Sequence, residues 1–241
     1  MAVNLKTFLA VDGPTGIWRK VLPSRCLLCG GRGENGIDLC AACAAELPRN
    51  DCCCARCALP LATPASLCGR CLHRAPPWDS AWAPFRYAWP LDRLEARFKF
   101  GADLAAGRML AQSWCAAAAP TEWPQAIVPV PLHRARLRSR GYNQALELAK
   151  PLAKAIGIPL LGDALLRTRA TDAQSELSAV ARRRNVRGAF AAAFHGEIPE
   201  HVALLDDVFT TGATLGECAR VLKRAGVARV QVWALARAPV G

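Results

Sequence analysis

Long apolar runs, aromatic residues and acidic residues are all scarce in this chain of 241 residues. No apolar run approaches the roughly 20 residues of a membrane-spanning helix. Residues 7–11 form an apolar stretch too short for a secretory signal, so we expect a cytoplasmic protein. Aromatic residues make up only 7% of the chain and are not interleaved with its arginines. This argues against a surface built to stack on nucleic-acid bases.

The shortage of acidic residues leaves the chain strongly basic. It contains 31 Lys and Arg against 19 Asp and Glu, a formal net charge of +12. Such an excess favours a polyanionic partner, either a nucleic acid or a polyphosphate substrate, and says nothing about the fold. Because 52% of the residues are hydrophobic, the chain is expected to fold into a packed core and not to be disordered.

Cysteine is abundant, with twelve residues. Eight of them form four CxxC pairs that repeat with a period of 28 residues: Cys26, Cys29, Cys40, Cys43, Cys54, Cys57, Cys68 and Cys71. Two such pairs can complete a tetrahedral site of four thiolates, so the repeat predicts a double zinc ribbon with one or two structural zinc ions. Spacing leaves open whether the ligands pair within each repeat or cross between repeats. It also leaves open whether Cys52 or Cys53 substitutes as a ligand.

The composition changes after the Pro-rich break at residues 75–78, which predicts a zinc-ribbon domain at 1–77 and a second domain at 78–241. In the second domain, Asp92 and Asp103 begin two helices, the second ending near residue 119. From residue 126 onward, strands alternate with helices, which favours a mostly parallel sheet flanked by helices. Strands are predicted at 126–130, 158–166, 189–194, 202–205 and 228–236. A helix is predicted at 143–156 and is expected to kink or restart at Pro151.

The strongest local pattern spans residues 202–226. A buried strand ends at Asp206 and Asp207, and a helix with apolar residues at helical spacing follows a turn of small and hydroxyl residues. That turn consists of Thr210, Thr211, Gly212, Ala213 and Thr214. Backbone N–H groups and the helix dipole favour an anion at such a turn. The two carboxylates suit the hydroxyl groups of a neighbouring ribose or a hard cation such as Mg²⁺.

Two arginine-rich segments accompany this pattern. Residues 134–140 contain four arginines and no acid, so a bound polyanion or solvent must neutralise them. Residues 167–187 contain six arginines, two acids and few apolar anchors, which predicts a mobile loop over a site.

The motifs together resemble two known groups of proteins. Residues 202–215 resemble the signature of the type I phosphoribosyltransferases, which bind phosphoribosyl pyrophosphate (PRPP). Almost the whole chain resembles the ComF family, in which a zinc-ribbon head is joined to a phosphoribosyltransferase-like domain. The matching motifs include Lys99-Phe100, the segment 128–132, the segment 140–144 and the turn 206–214. The family is associated with natural transformation and with handling single-stranded DNA entering the cytoplasm. This resemblance implies single-stranded DNA and other DNA-uptake proteins as partners.

The resemblance implies a role for each segment. The acid pair would hold the ribose hydroxyls, and the threonine turn would bind the 5′-phosphate. The pyrophosphate loop would consist of Val130, Pro131, Leu132, His133 and Arg134. The flexible loop that closes over PRPP would include Arg169, Gln174, Arg182 and Arg183. Residues 82–120 would form the hood over the core at 126–241, and Mg²⁺ would lie between the acids and the pyrophosphate.

Two functions from different classes follow. The first is a Mg²⁺-dependent phosphoribosyltransferase, which transfers a pentosyl group from PRPP. The second is a non-catalytic protein that binds single-stranded nucleic acid and retains the PRPP pocket for recognition or regulation. A zinc-ribbon adaptor is a more distant third, because it leaves the pattern at 202–226 without a role. His133 is expected to be a structural donor more often than an acid or base.

Overall fold

The computed structural model describes residues 24–34, 36–117, 120–170 and 179–239. The first part of this chain consists of two small cysteine-rich units. Each unit contains one short helix, α1 (Ala41–Ala45) and α2 (Gly69–His73). Each helix begins directly after a cysteine in extended backbone, Cys40 or Cys68. The first cysteine of each second pair therefore sits at a helix start, where the chain turns sharply.

The second part of the chain forms a five-stranded parallel sheet. Its strands are β1 (Ser80–Trp82), β2 (Phe85–Arg86), β3 (Ala126–Pro129), β6 (His201–Phe209) and β7 (Arg229–Arg237). They lie in the order β1, β7, β6, β3, and β2 also pairs with β7. All of these pairings are parallel. The mostly parallel α/β fold with an N-terminal zinc-ribbon region is therefore confirmed.

The sheet is buried because its central strands are continuous apolar runs. Val230, Val232 and Leu235 of β7 are fully buried, as are Val202 and Leu204 of β6. Strands buried on both faces have this composition because helices cover both sides of a parallel sheet. Four longer helices provide that cover: α3 (Leu91–Phe100), α4 (Leu104–Cys115), α6 (Gln144–Ile156) and α8 (Ala213–Arg224). Among the described residues, no helix is both long and apolar enough to cross a membrane.

The helix α6 runs without a break through Pro151, so the expected restart at that residue is wrong. Proline removes one N–H donor, which leaves only the carbonyl of Glu147 without its partner in the helix. Leu148 and Leu152 are buried on either side of the proline and hold the helix against the sheet. Packing on one face therefore outweighs the single lost hydrogen bond.

Two predicted strands are shorter than expected and lie outside the main sheet. The segment 158–166 contributes one bridge, from Leu160 to Ile127, and then the strand β4 (Leu165–Arg167). The strand β4 pairs in antiparallel fashion with β5 (Phe190–Ala192), which replaces the longer predicted strand 189–194. This small ribbon carries the chain into and out of the arginine-rich segment 167–187.

Part of that arginine-rich segment is a helix, α7 (Ala179–Val186), where the composition predicted a loop. The apolar side chain of Val186 is buried, and Arg169 donates to the carbonyls of Asn185 and Arg187 at 3.1 and 2.8 Å. These contacts hold the end of the helix. Gln174 lies outside the described residues, and the structure says nothing of its position.

Candidate functional site

The eight paired cysteines gather into two groups of four, and the sulfur atoms of each group lie within 4.8 Å of one another. Among the described residues the groups are not crossed between the repeats: one contains Cys26, Cys29, Cys40 and Cys43, and the other Cys54, Cys57, Cys68 and Cys71. The Sγ atoms of Cys29 and Cys40 are 3.8 Å apart, and those of Cys57 and Cys68 are 3.7 Å apart. Four sulfurs bound to one Zn²⁺ at about 2.3 Å would be separated by about 3.8 Å, so both groups fit structural zinc.

Neither Cys52 nor Cys53 belongs to either group of the described cysteines. Cys52 is exposed and Cys53 half-buried. The backbone N–H of Cys68 donates to Cys54 Sγ at 3.3 Å, and that of Cys43 donates to Cys40 Sγ at 3.5 Å. Such donors favour a thiolate, which is the form that binds zinc.

The acid pair lies within the strand β6 and not at its end, which corrects the predicted strand 202–205. Asp206 is half-buried and Asp207 is 8% exposed. The carboxylates accept backbone donors: Asp206 Oδ1 from the N–H of Asp207 at 3.0 Å, and Asp207 Oδ1 from the N–H of Val208 at 2.7 Å. The strand continues past the acids because the register with β7 is maintained as far as Phe209.

A lysine from the helix α3 neutralises this pair. Lys99 Nζ lies 3.0 Å from Asp207 Oδ2 and 3.3 Å from Glu95 Oε1. Glu95 is almost completely buried and accepts from the hydroxyl group of Tyr87 at 3.3 Å. One chain of polar contacts therefore joins Tyr87, Glu95 and Lys99 to the acid pair.

The pKa values of these groups follow from burial and from their mutual charges. Burial, with the Asp207 carboxylate nearby, raises the pKa of Glu95 to about 7. Burial and the Asp207 carboxylate also raise the pKa of Asp206 well above its ordinary value. Burial alone would raise the pKa of Asp207, but the Lys99 ammonium outweighs it and lowers that pKa. Burial likewise opposes the charge of Lys99, yet Asp207 and Glu95 outweigh it and raise the pKa of that amine.

No motif in the sequence predicted that Glu95 or Tyr87 belongs to the site, and Lys99 appeared only as part of the Lys99-Phe100 motif. A usable signal existed, because an acid and a lysine four residues apart lie on one face of a helix. Leu94 and Phe98, which flank these positions, are buried. A charged pair between buried apolar positions on one helix indicates a charge network that faces the interior.

The threonine turn begins α8, as its pattern predicts. Gly212 is the residue before the helix and has φ of +73°, a left-handed conformation that favours glycine. A Cβ atom there would also lie 2.8 Å from the rings of both Phe209 and Trp78. Both the backbone conformation and the close packing therefore require glycine at this position.

A cavity of about 570 Å³ lies between this turn, the acid pair and the chain after β3. Most of the predicted site residues line it: Asp206, Asp207, Thr210, Gly212, Ala213, Thr214, Val130, Pro131 and Leu132. Lys99 lines it as well, together with Gln144, whose buried Nε2 has no hydrogen-bond partner among the described residues. An unpaired buried donor beside a cavity indicates a missing acceptor.

His133 and Arg134 are not among the residues that line this cavity. The segment after Leu132 forms the helix α5 (Arg134–Arg140), and His133 Nδ1 accepts the N–H of Ala135 at 3.3 Å as its cap. Arg136 and Arg140 line the cavity instead. They are four residues apart and share one face of the helix, whereas an extended loop would have presented Arg134.

The predicted flexible-loop residues fall into two groups. Arg169 is held by the carbonyls at the end of α7 and is not among the residues that line the cavity. Arg182 and Arg183 lie in the helix α7, and the structure describes only their backbone. Arg167, at the end of β4, lines the cavity. Thr211 lines a second, separate cavity beside the zinc ribbon.

Comparisons with known proteins agree with this architecture. Residues 17–72 match the family model described as a double zinc ribbon domain. The chain is 39% identical to competence protein F of Haemophilus influenzae, over 89% of this chain and 97% of that protein. It is 38% identical to the DNA utilization protein YhgH of Escherichia coli K12, over 69% of this chain and 75% of that protein. It is 28% identical to competence protein ComFC of Streptococcus pneumoniae, over 64% of this chain and 67% of that protein.

Proposed function

The chain belongs to the ComF family, and from that premise we propose that its first cavity binds PRPP with Mg²⁺ and that the protein serves the utilization of DNA during competence. Relatives over most of the chain are named for competence or DNA utilization. We place this role in the cytoplasm, where an incoming strand would meet the protein. The acid pair, the threonine turn and three arginines share one cavity, and this observation carries the proposal.

Each chemical group of PRPP has a counterpart around the cavity. The 5′-phosphate fits the turn from Thr210 to Thr214, where the N-terminus of α8 favours an anion. The pyrophosphate fits the guanidinium groups of Arg136, Arg140 and Arg167, since arginine is suited to phosphate oxygens. Gln144 Nε2 offers a further donor to either anion.

The acid pair fits the ribose. Asp207 is held ionised by Lys99, so its oxygens accept hydrogen bonds from the ribose hydroxyls. Asp206 lies beside it with a raised pKa, and a cation close to it would favour its ionised form. Carboxylate oxygens are the donors that Mg²⁺ prefers, so the residues fit this ion. When bound, Mg²⁺ would neutralise charge on the pyrophosphate oxygens.

Transfer from PRPP would proceed by displacement at the anomeric carbon. A nucleophile donates its electron pair to that carbon, the bond to the pyrophosphate oxygen breaks, and pyrophosphate leaves with the bonding pair. Positive charge develops on the ribose ring meanwhile, and negative charge on the leaving group. The chain's contribution is to fix the ribose with Asp206 and Asp207 and to stabilise the departing anion with arginines.

Calorimetric titration with PRPP and Mg²⁺ tests the binding step. The double variant Asp206→Ala, Asp207→Ala is expected to weaken binding about tenfold or more, since it removes the acceptors for the ribose hydroxyls. The control is Asp51→Ala, Glu197→Ala, which removes two exposed acids outside the cavity. Unchanged PRPP binding in the first variant would contradict the proposal.

A non-catalytic protein that binds single-stranded nucleic acid is the second candidate, favoured by relatives named DNA utilization protein. Mass-spectrometric detection of pyrophosphate released from PRPP separates the two functions. An enzyme is expected to release it with at least one nucleobase or with single-stranded DNA as acceptor. Binding of PRPP without release with any of these acceptors would favour the non-catalytic function.

A further inference from the structure

A second cavity of about 390 Å³ lies between the second zinc ribbon and the start of α8. It shares Gly212 and Ala213 with the first cavity, but otherwise has its own lining. Thr211 and Gly216 of the turn and helix face it, opposite Arg70 and Arg74 of the ribbon. The acid pair and Lys99 do not line it, so it is chemically distinct from the cavity proposed for PRPP.

Four arginines line this second cavity: Arg70, Arg74, Arg220 and Arg237. No acidic residue of the described chain is among its lining residues. Nearby negative charge offsets part of this excess. A zinc centre with four thiolate ligands has a formal charge of −2, because four negative sulfurs bind one Zn²⁺, and Glu217 pairs with Arg220 at 2.7 Å. Four guanidinium charges against these three leave one positive charge, which matches one phosphodiester.

Arg70 and Arg74 are the arginines of this set that a bound anion can reach. Both side chains are exposed, and neither makes a side-chain hydrogen bond or ion pair with the described residues. Arg70 lies in α2, Arg74 follows the helix in extended backbone, and both line the same cavity, so they can approach the same anion. Arg237 instead donates hydrogen bonds to four backbone carbonyls, and Arg220 forms an ion pair with the Glu217 carboxylate.

Apart from Thr211, the remaining lining is mainly apolar and can hold a flat group beside the phosphate. Trp78 and Phe209 meet edge to face with ring centroids 5.5 Å apart, and Pro76, Pro77 and Leu59 complete the surface. A volume of about 390 Å³ lies within the range of cavities that hold small ligands and cofactors. The combination of a phosphate-sized charge and an apolar floor suits a nucleoside phosphate.

We propose that this second cavity binds a nucleotide through its phosphate, with Arg70 and Arg74 as the phosphate contacts. The nucleotide can come from a free mononucleotide or from one unit of a single strand. This site does not depend on the proposed PRPP binding in the first cavity.

The test measures the binding of labelled oligothymidylate and of thymidine monophosphate to the full-length, zinc-loaded protein by fluorescence anisotropy and calorimetry. The variant Arg70→Gln, Arg74→Gln is expected to weaken oligothymidylate binding about tenfold. It should also reduce the slope of log affinity against log salt by about 0.7, for one phosphate of a single strand that is no longer neutralised. Binding of thymidine monophosphate would assign the site to free nucleotides as well, and binding of the oligonucleotide alone would assign it to a strand. Both outcomes support the site.

The matched control is Arg32→Gln, Arg93→Gln, which removes the same charge from exposed positions outside both cavities. Equal affinity and equal salt slope in the two double variants would overturn the proposal. Zinc content, measured on each variant, checks that the ribbon is intact. PRPP binding is expected to persist in the Arg70→Gln, Arg74→Gln variant, so failure of this site and failure of the PRPP proposal are distinguishable.

A second variant tests the cavity by filling it. A Cβ atom at Gly216 would meet Trp78 and Pro77 at 3.5 and 3.6 Å, which is ordinary contact. Gly216→Met therefore places a flexible side chain at the wall of the second cavity without removing an arginine. Oligothymidylate binding is expected to weaken while zinc content and PRPP binding are retained. Unchanged oligothymidylate binding here would likewise count against the site.

Discussion

The guanidinium group of Arg237 donates to the carbonyl of Cys57 at 2.9 Å, and so joins the last strand of the sheet to a zinc ligand. The same side chain donates to the carbonyls of Phe209 and Thr210 at 2.9 and 2.8 Å and lies over the Phe209 ring. One buried arginine therefore connects the second zinc site to the turn proposed to bind phosphate.

Trp78 makes a parallel connection. Its Nε1 donates to the carbonyl of Arg56 at 2.7 Å, and its ring packs against Phe209. The first ribbon is joined to the opposite wall, because Arg97 of α3 donates to the carbonyl of Leu27 at 2.9 Å. The first ribbon thus contacts the helix of Lys99 directly, and the second is joined to the turn through Arg237 and Trp78.

Replacing Arg237 is expected to destabilise the protein. Arg237→Met leaves the buried carbonyl of Cys57 and the partly buried carbonyl of Thr210 without this donor, and the loss of a buried hydrogen bond costs about 1–3 kcal/mol. We expect the free energy of unfolding to fall by about 3 kcal/mol or more, measured by urea denaturation. Arg86→Met, at an exposed position of β2, is the control and should change stability far less. Similar values for the two variants would contradict this assignment.

Loss of one ligand is expected to empty the second zinc site. Cys54→Ser removes a buried thiolate from the group of four, whereas Cys52→Ser removes an exposed thiol that lies two residues away. Zinc content should fall by one ion per chain in the first variant and stay unchanged in the second. Elemental analysis of the purified proteins checks this. Zinc loss in Cys52→Ser would show that the ligand set includes it.

Gly212→Ala is expected to disturb the turn by steric clash as well as by backbone strain. Its Cβ would lie 2.8 Å from two rings. At Gly157, which has a similar φ of +69°, a Cβ would meet nothing within 4 Å. Gly157→Ala is therefore the matched control for strain alone, which costs about 1 kcal/mol. Thermal or urea unfolding should show a larger loss for Gly212→Ala, and equal losses would refute the clash.

Glu95 is expected to make stability depend on pH. Its folded pKa is raised from 4.5 to about 7, so between these values the folded protein binds the proton more tightly than the unfolded chain. Stability therefore falls as pH rises through this window. Glu95→Gln removes this dependence, and above pH 7 it should gain up to about 3 kcal/mol relative to the native protein. The exposed Glu197→Gln serves as control.

Urea denaturation at a series of pH values measures this difference. Below this window Glu95 is protonated in both states, so the variant and the native protein should converge. A constant offset between them across the window would argue that the pKa of Glu95 is not raised.

Local patterns in the sequence predicted elements whose residues are close together in the chain. The turn at 210–214 and the helix after it were predicted because the residues that define them are contiguous. The helix α6 was predicted to within one residue at its start, because Asn143 caps it through its side chain. The helix after Asp103 ends at Cys115, short of the predicted residue 119, because a run of alanines has no pattern that marks a helix end.

Misplaced side chains came from segments whose conformation depends on distant contacts. His133 and Arg134 were expected at the first cavity because the resemblance implied a pyrophosphate loop there, but a helix turns Arg136 and Arg140 toward it. The predicted strand ended before the two acids, because adjacent carboxylates are typical of a strand end. The observed strand β6 continues through them to Phe209. Pairing with β7 carries the strand through them.

Three features of this protein follow from its amino-acid sequence alone. They are the repeated CxxC pairs, the strand, turn and helix around residues 202–224, and the alternation of strands and helices that builds a parallel sheet. Each of these is a short-range property of the backbone and its nearest side chains. Tertiary structure decided that the zinc ligands pair within each repeat, that Lys99 reaches Asp207, and that Arg237 reaches Cys57. These contacts join residues far apart in sequence, and only packing of the whole core sets which of them meet.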